Sequence, residues 1–520
     1  MANREELLVI RAARSGQAAA QLALGERYLS GGRGLPKSGA SALYWLDRAA
    51  QQKEREAWIL IGSHIPFEVA KQATQRAKLC RWYALAFDAG VMQAGVVLAK
   101  LVLSQTDFPI EGALRDKAMS ALEAAARAGI ADAQWLMAQQ LERTDAKARS
   151  DAPDVSAECA QHPAPSQENM LDWAAQAACG GVVGAQRALA EHAWTVADTG
   201  TFLRWSLPLA RAVVCRWPGV DAGVAHLSGD DALMLTRCAQ ALELEAGSDS
   251  QEIERFWELA ARAGDREAQF RLGLRLAKMD AGGARLPALA GSAQYKKSLR
   301  WLSMAAEQGM ADAWYAMSQI YLKPEFSQRN LAGAQAHLER AAHAGHKVAQ
   351  RDLGISAWRA RREAPANDVR AVYWLQKAAV QGDQEALVLL GKIAPPATPS
   401  AWAIEAQAQL TRDVANAHPF LAARIELAAL FGLTRAETLL IDLHAANCGH
   451  CLVVDIRERH PRSRRRLVPV HTGEERRALD RIARLFEDVD CGPSGPEGNY
   501  RQRLYRLKRV LGAECAGTGR

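Results

Sequence analysis

Leu299-Arg-Trp-Leu-Ser-Met-Ala-Ala-Glu-Gln-Gly309, followed directly by Met310 and Ala311-Asp-Ala-Trp-Tyr-Ala-Met-Ser-Gln-Ile-Tyr-Leu322, is the stretch that decides how this chain folds. Both halves read as helices, and the glycine between them punctuates. The same close, an alanine pair, two residues and a glycine, returns as Ala125-Ala-Arg-Ala-Gly129, Ala260-Ala-Arg-Ala-Gly264, Ala341-Ala-His-Ala-Gly345 and Ala378-Ala-Val-Gln-Gly382, with looser copies ending at Gly90 and Gly180. The glycines lie 39, 45, 36 and 37 residues apart where the copies are regular; gaps of 51 and 84 read as an insertion and a pair of degraded units. Periods of about 20–50 residues mark stacked repeats.

Each copy has a physical reading. Asp132, Asp265, Asp312 and Asp383 fall at the start of the helix after the glycine, where a carboxylate meets the positive end of the helix dipole. A loop follows, such as Gly31-Gly-Arg-Gly-Leu-Pro-Lys-Ser38, which joins two helices and follows no strand, so it is a turn and not a nucleotide loop. The second helix carries aromatics and alanines, as in Ala42-Leu-Tyr-Trp-Leu-Asp-Arg-Ala-Ala50 and Ala371-Val-Tyr-Trp-Leu-Gln-Lys-Ala-Ala379. Alanines let helix backbones approach, and the closing glycine supplies a left-handed reversal. Trp45, Trp82, Trp173, Trp301 and Trp374 hold one place in this unit, so they are expected in the packing between helices rather than on a ligand. His343 and His346, beside Gly345, are expected at a helix-end surface.

Leu24-Gly25-Glu-Arg-Tyr28 followed by Tyr44-Trp45-Leu-Asp-Arg-Ala-Ala50, and Leu272-Gly273 followed by Trp301 and Ala305-Ala-Glu-Gln-Gly309, resemble the Sel-one-like repeat, a relative of the tetratricopeptide repeat. The likeness covers roughly residues 10–395, is best over 10–52 and 255–395, and is weak over 140–250, where Pro163, Pro165, Pro208 and Pro218 interrupt it. It implies right-handed superhelical arrays that serve as adaptors and scaffolds in signalling, secretion and envelope processes. Some extracellular relatives are braced by regularly spaced disulfides. This chain lacks that cysteine spacing.

Composition agrees. The 520 residues are too many for a single core, and a chain that is 49% hydrophobic and 24% charged is a folded one. Aromatics at 6% and abundant alanine argue for helices over a large β-structure. No stretch approaches the roughly 20 apolar residues of a membrane span. The acidic start Met1-Ala-Asn-Arg-Glu-Glu-Leu-Leu is unlike a signal peptide, and nine cysteines, mostly lone, point to a reducing, cytoplasmic setting.

The net charge of +7 is concentrated at one end: residues 448–520 hold 16 Lys+Arg against 10 Asp+Glu, an excess of six. After Pro395-Pro-Ala-Thr-Pro399 the repeat signature stops. Helices are expected over 401–445, the last opening with Thr434 and Glu437 as a capping box and running to about Ala445. Short strands are expected at Cys451–Ile456 and Arg466–Val470, an amphipathic helix at Glu474–Val489 and a basic helix at Asn499–Leu511.

Two constellations there carry chemistry. Cys448 and Cys451 in Cys448-Gly-His-Cys451, with His444 and Cys491, could complete the four ligands of a tetrahedral zinc, but a single such pair is a weak signal. The tetrad also matches a thioredoxin-like redox motif, although helix and strand stand in the wrong order for that fold. Inert turn cysteines are the third reading. The second constellation is a basic cluster, Arg462, Arg464, Arg465 and Arg466 with Tyr500, Arg501, Tyr505, Lys508 and Arg509, whose forks and rings suit phosphates and bases; an acidic protein, solvent or an anionic membrane surface are the other readings.

The expected fold is all-α: a right-handed superhelical solenoid of about eight antiparallel helix pairs, with a small α+β carboxyl-terminal domain. Its parts are repeats over 1–139, degenerate repeats with an insertion over 140–250, repeats over 251–395, and a basic domain over 400–520. The expected role is a non-catalytic scaffold or adaptor holding a protein partner along a concave face. Alternatives are a nucleic-acid-associated protein acting through the basic end, and a thiol-redox or metal-dependent factor using Cys448 and Cys451. No cofactor is expected, structural zinc being the one held in reserve.

Overall fold

The computed structural model describes residues 4–31, 35–73, 76–104, 112–150, 165–217, 227–245, 247, 249–286, 292–490 and 494–512. Two units emerge, residues 1–259 and 260–520. In the first, α1 (Arg4–Arg14) precedes antiparallel pairs: α2 (Ala18–Ser30) with α3 (Gly39–Gln51), α4 (Arg55–His64) with α6 (Arg76–Asp88) after the short α5 (Phe67–Lys71), and α7 (Met92–Leu103) with α8 (Gly112–Arg127). Then come α9 (Ala131–Ser150) with α10 (Pro165–Cys179) and α11 (Val183–Thr195) with α12 (Thr199–Arg216), followed by α13 (Gly229–Leu244), which packs on α12, and α14 (Ser250–Arg262), at the division between the units, whose Trp257 donates to Glu243 of α13 over 3.1 Å. The second unit pairs α15 (Arg266–Ala277) with α16 (Tyr295–Glu307), α17 (Ala311–Leu322) with α18 (Leu331–His343), and α19 (Lys347–Arg359) with α20 (Asn367–Val380), and ends the series on α21 (Gln384–Ile393). Within each unit a helix packs on its partner and on its sequence neighbours, the arrangement of an all-α helical repeat. No helix among the described residues is long and apolar enough to cross a membrane.

Small residues set the spacing inside each hairpin. A Cβ on Gly25 would lie 2.6 Å from Leu46, one on Gly273 2.7 Å from Leu302, and one on Gly354 2.7 Å from Leu375. The Leu-Gly pair of the first helix is therefore a slot for a leucine of the second. Alanines such as Ala305 and Ala306 are buried at 0% and 2% exposure, as the close approach requires.

Hairpins are joined by left-handed residues, with φ 87° at Gly309 and 98° at Gly345. Lys53 (φ 67°) stands in the same place after α3, where the spelling Ala49-Ala-Gln-Gln-Lys53 hides a repeat boundary. Ala197 (φ 59°) makes the same kind of turn between α11 and α12. In the looser copy near 180 the left-handed residue is Gly181 (φ 87°), one position beyond the glycine expected. The 84-residue gap contains four helices, α11 to α14. Pro208 does not interrupt them: it sits inside α12, and Pro165 opens α10, where a missing amide is harmless. Pro163 and Pro218 lie outside the described residues.

A glutamine ladder, invisible to the alanine-glycine phrase, ties hairpins together. Five residues after a turn glycine, Gln21, Gln134, Gln186, Gln269 and Gln350 each donate Nε2 to a carbonyl at the end of the preceding helix, at Ala13, Ala126, Ala178, Ala261 and Ala342, over 3.0 to 3.1 Å. The glutamine at the next hairpin's close then donates to the first one's Oε1: Gln52 to Gln21 (2.8 Å), Gln308 to Gln269 (2.9 Å) and Gln381 to Gln350 (2.8 Å). Carbonyls left open at a helix end are thus satisfied by the following repeat.

The carboxyl-terminal part continues with α22 (Ala401–Ala408), α23 (Arg412–Ala417), α24 (Pro419–Phe431), α25 (Arg435–Leu440), α26 (Leu443–Ala446), β1 (Cys451–Val454), β2 (Arg466–Pro469), α27 (Gly473–Leu485) and α28 (Tyr500–Leu511). Thr434 and Glu437 form the expected capping box, but the helix stops at Leu440. Asp442 then caps a separate turn by accepting from the amides of His444 and Ala445. The strands pair antiparallel, Cys451 opposite Pro469 and Val454 opposite Arg466. Both faces of this sheet are covered. Leu452, Val454 and Val468 join Leu427, Phe431, Leu479 and Ile482, while Cys451, Val453 and Leu467 pack on Val372, Leu375 and Ala378. The expectation of a small α+β part is met in its elements, yet its sheet is built onto the last repeat hairpin.

Candidate binding surfaces

The expected basic cluster divides in two. Arg465 holds Asp368 of α20 through Nε (2.8 Å) and Nη2 (3.0 Å) and also donates to the Pro365 carbonyl. Arg466 forks onto Glu437 at 2.9 and 2.8 Å and reaches the Gly432 carbonyl. Burial alone would raise Glu437, but Arg466 and the Thr434 amide outweigh it and hold the carboxyl below its usual range. These two arginines, expected to face a ligand, are internal clamps. Tyr500 is half-buried against Leu421, Ile425, Leu507 and Leu511 and is likewise absorbed.

Arg462 and Arg464 are exposed on the strand connection, and Arg501, Tyr505, Lys508 and Arg509 are exposed together on α28. Their spacing of four, three and one residues puts the last four on one helix face, opposite the buried Arg503, Leu507 and Leu511. Tyr505 is 65% exposed.

Sequence reading did not find the centre beneath α28. Arg424, Glu497 and Arg503 are buried at 2%, 1% and 4% exposure. Arg424 pairs with Glu497 and donates to the Thr438 (2.6 Å) and Ile441 (3.2 Å) carbonyls. Arg503 meets the same carboxylate at 3.0 Å and donates to the Gly498 and Leu439 carbonyls. Nothing in the text around Glu497 singles it out, because its partners lie on separate helices.

At the cysteine tetrad, the Cys448 amide donates to the Cys451 carbonyl (3.1 Å), closing a tight turn. Cys451 is fully buried, and burial pushes its thiol up to about 12; burial raises Cys448 as well. His444 is exposed on α26, while His450 turns its ring to the Val369 carbonyl (2.9 Å), and burial lowers its pKa. Cys491 lies outside the described residues. Among the described residues no three His, Cys, Asp or Glu side chains are grouped to hold a metal.

His346 departs from expectation. It is a half-buried cap that accepts from the Ala349 amide (3.1 Å) and stacks on Tyr315 at 4.3 Å, whereas His343 is exposed. Trp82, Trp173 and Trp374 pack against the hairpin cores, and Trp45 and Trp301 are half-buried. Asp265 and Asp383 are helix caps, accepting from the Ala268 (2.8 Å) and Ala386 (2.9 Å) amides.

Two of the open spaces lie in the first unit, between alternate helices. A furrow of about 340 Å³ runs over α10 between α9 and α11, lined by Trp135, Glu142, Asp145, Met170, Leu171 and His192. A second, of about 290 Å³, runs over α12 between α11 and α13, lined by Phe202, Leu209, Asp230, Leu233 and Met234. Both touch Ala188 and Glu191 of α11, so they meet across that helix. Only the small Ala188, at an exposed helical position, hints at this in the sequence.

No family model and no curated protein matches the sequence. Among solved structures the chain is similar to a protective antigen present in uropathogenic Escherichia coli strains and displaying an SLR fold, at 20% identity over 100% of both chains with a TM-score of 0.46. It is also similar to a Sel1 repeat protein from Oxalobacter formigenes, at 20% identity over 74% of this chain and 90% of that one, with a TM-score of 0.25. The hairpins α2–α3, α15–α16 and α19–α20 have the form that the Sel-one-like resemblance implies: two antiparallel helices meeting at a Leu-Gly slot and closed by a left-handed residue, here Lys53, Gly309 and Gly382.

Proposed function

We propose that this protein is a non-catalytic binding scaffold, which holds a protein partner on the furrows of its helical repeats while the exposed face of α28 docks on a second, anionic surface. The observation that carries the reading is the paired furrow across α9, α11 and α13, whose apolar floor the internal packing leaves open. The thiols argue the same way. A nucleophilic or redox cysteine needs an accessible thiolate, and burial drives Cys451 in the opposite direction.

The test is proximity labelling in cells with three full-length forms: the parent, Ala188→Trp to fill the furrows, and Arg501→Glu/Lys508→Glu/Arg509→Glu on α28. Each variant should lose a different subset of neighbours. Identical labelling by all three would refute the scaffold.

A polyanion such as nucleic acid is a second reading for α28, favoured by the exposure of Tyr505 among Arg501, Lys508 and Arg509. Retention of generic single-stranded nucleic acid should then fall steeply with salt and vanish in the triple charge reversal. Absence of retention at low salt removes this reading.

A further inference from the structure

We propose that two arginine-rich segments of the second unit form one surface that binds nucleic acid through its phosphates, without regard to base sequence. They are residues 359–370, from the end of α19 to the first turn of α20, and residues 455–465, between β1 and β2. None of these residues belongs to the furrows or to the exposed face of α28, so the surface extends the scaffold reading without resting on it.

The fold joins what the sequence separates. Arg465 donates to the carbonyl of Pro365, 100 positions away, over 3.0 Å, and forks onto Asp368 at 2.8 and 3.0 Å. That clamp lays the strand connection against the loop of the α19–α20 hairpin. The two segments together hold nine arginines and no lysine against four carboxylates. Two of the carboxylates are already engaged: Asp368 by Arg465, and Asp455 by Arg457 (2.7 Å) and Arg465 (3.5 Å). Arg361 lies over the Trp358 ring at 4.4 Å. Arg359, Arg362, Arg370, Arg459, Arg462 and Arg464 are exposed and make no ion pair among the described residues. Of the acids in the two segments, Glu363 and Glu458 alone are left to oppose them. Neighbouring elements do not cancel the excess. The loop of the preceding hairpin brings Lys323 and Arg329 against Glu325, and at the start of α25 Glu437 is held by Arg466.

Side-chain chemistry chooses the occupant. The planar arginine fork meets two oxygens of one phosphate at once and keeps its charge at any physiological pH. Several such forks spread over two loops match a chain of phosphates better than a single one. The other exposed residues of the surface are glutamate, proline, alanine and His460, with no large apolar side chain among them. A protein partner needs an apolar or aromatic anchor at the centre of its interface, and a membrane surface is held by inserted apolar side chains. Phosphate contacts need neither.

The experiment titrates the full-length protein into fluorescein-labelled oligouridylate and oligoadenylate, read by anisotropy at several salt concentrations. Both should bind at low salt with similar affinity. Each phosphate contact to a single strand contributes about 0.7 to the slope of log affinity against log salt, so Arg362→Gln/Arg459→Gln/Arg464→Gln should reduce that slope by about two and weaken low-salt binding by about tenfold or more. These arginines make no internal ion pair, and matching circular-dichroism melts verify that the variant folds. Unchanged binding in this variant overturns the surface. Binding that survives in it but is lost in Arg501→Glu/Lys508→Glu/Arg509→Glu assigns the nucleic acid to α28 instead. No binding at low salt overturns both nucleic-acid sites and leaves the scaffold standing. Displacement of the oligonucleotides by polyglutamate at equal charge, or tighter binding to phosphatidylserine vesicles, also overturns the inference, in favour of an acidic protein or a membrane.

Discussion

Lys53 pays for a turn that glycine would make freely. It holds φ 67° where neighbouring hairpins close on glycine. A left-handed backbone costs a side-chain-bearing residue about 1–2 kcal/mol, while a new glycine gives back about 0.4–1 kcal/mol through the unfolded chain. Lys53→Gly should therefore stabilise the protein by about 0.5–1 kcal/mol, read as a higher denaturant midpoint with unchanged slope. The opposite sign is expected at Gly354→Ala. Its new Cβ would lie 2.7 Å from Leu375, and overpacking of this kind costs about 1–3 kcal/mol. A neutral result would mean that the hairpin can open, and that the Leu-Gly slot does not set its spacing.

Among the elements, α28 depends on a carboxylate that its own sequence does not advertise. Glu497→Gln leaves Arg424 and Arg503 buried without their counter-charge, and breaking such a group costs about 3–5 kcal/mol. Hydrogen exchange should show α24, α25 and α28 losing protection together. The seat of β1 and β2 on α20 carries a pH dependence. His450 has its pKa lowered by burial, so the unfolded chain takes up that proton first as pH falls. Stability is then complete above about 6.5 and declines below it. Glu437, held low, and Asp455, drawn down to about 2 by Arg457, extend the same decline into acid. Cys451, raised to about 12, acts at the other limit, where stability is lost as pH climbs from about 9. Melting midpoints measured from pH 7.5 to 5 should fall, and His450→Gln should flatten that limb; an unchanged slope in the variant would place the titration elsewhere.

For the molecule as a whole, repeats lean on their neighbours, so an end needs a cover. The last hairpin is covered by Cys451, Val453 and Leu467 on Val372, Leu375 and Ala378, by Arg465 on Asp368, and by Gln376 donating to the His450 (3.2 Å) and Val470 (3.4 Å) carbonyls. Ending the chain at residue 395, where composition changes, should expose that apolar surface. The truncated protein is expected to lose exchange protection over α19–α21 and to self-associate in size-exclusion chromatography. Full protection of α20 without the strands would make the cover dispensable.

The repeat was legible because it is local. An alanine pair, a glycine and an aromatic at fixed spacing encode helix, turn and close approach within a few residues of one another, and even the glutamine ladder is written in a fixed offset from Gly16, Gly129 and Gly345. The short strands and the capping box at Thr434 were readable for the same reason. Which arginines are free was not. Arg465 and Arg466 look like Arg462 and Arg464 in the text, and only the arrival of Asp368 and Glu437 from distant positions turns them inward. The furrow across α9, α11 and α13 is decided by tertiary structure in the same way, since a groove is a property of surfaces brought together and no single helix contains it.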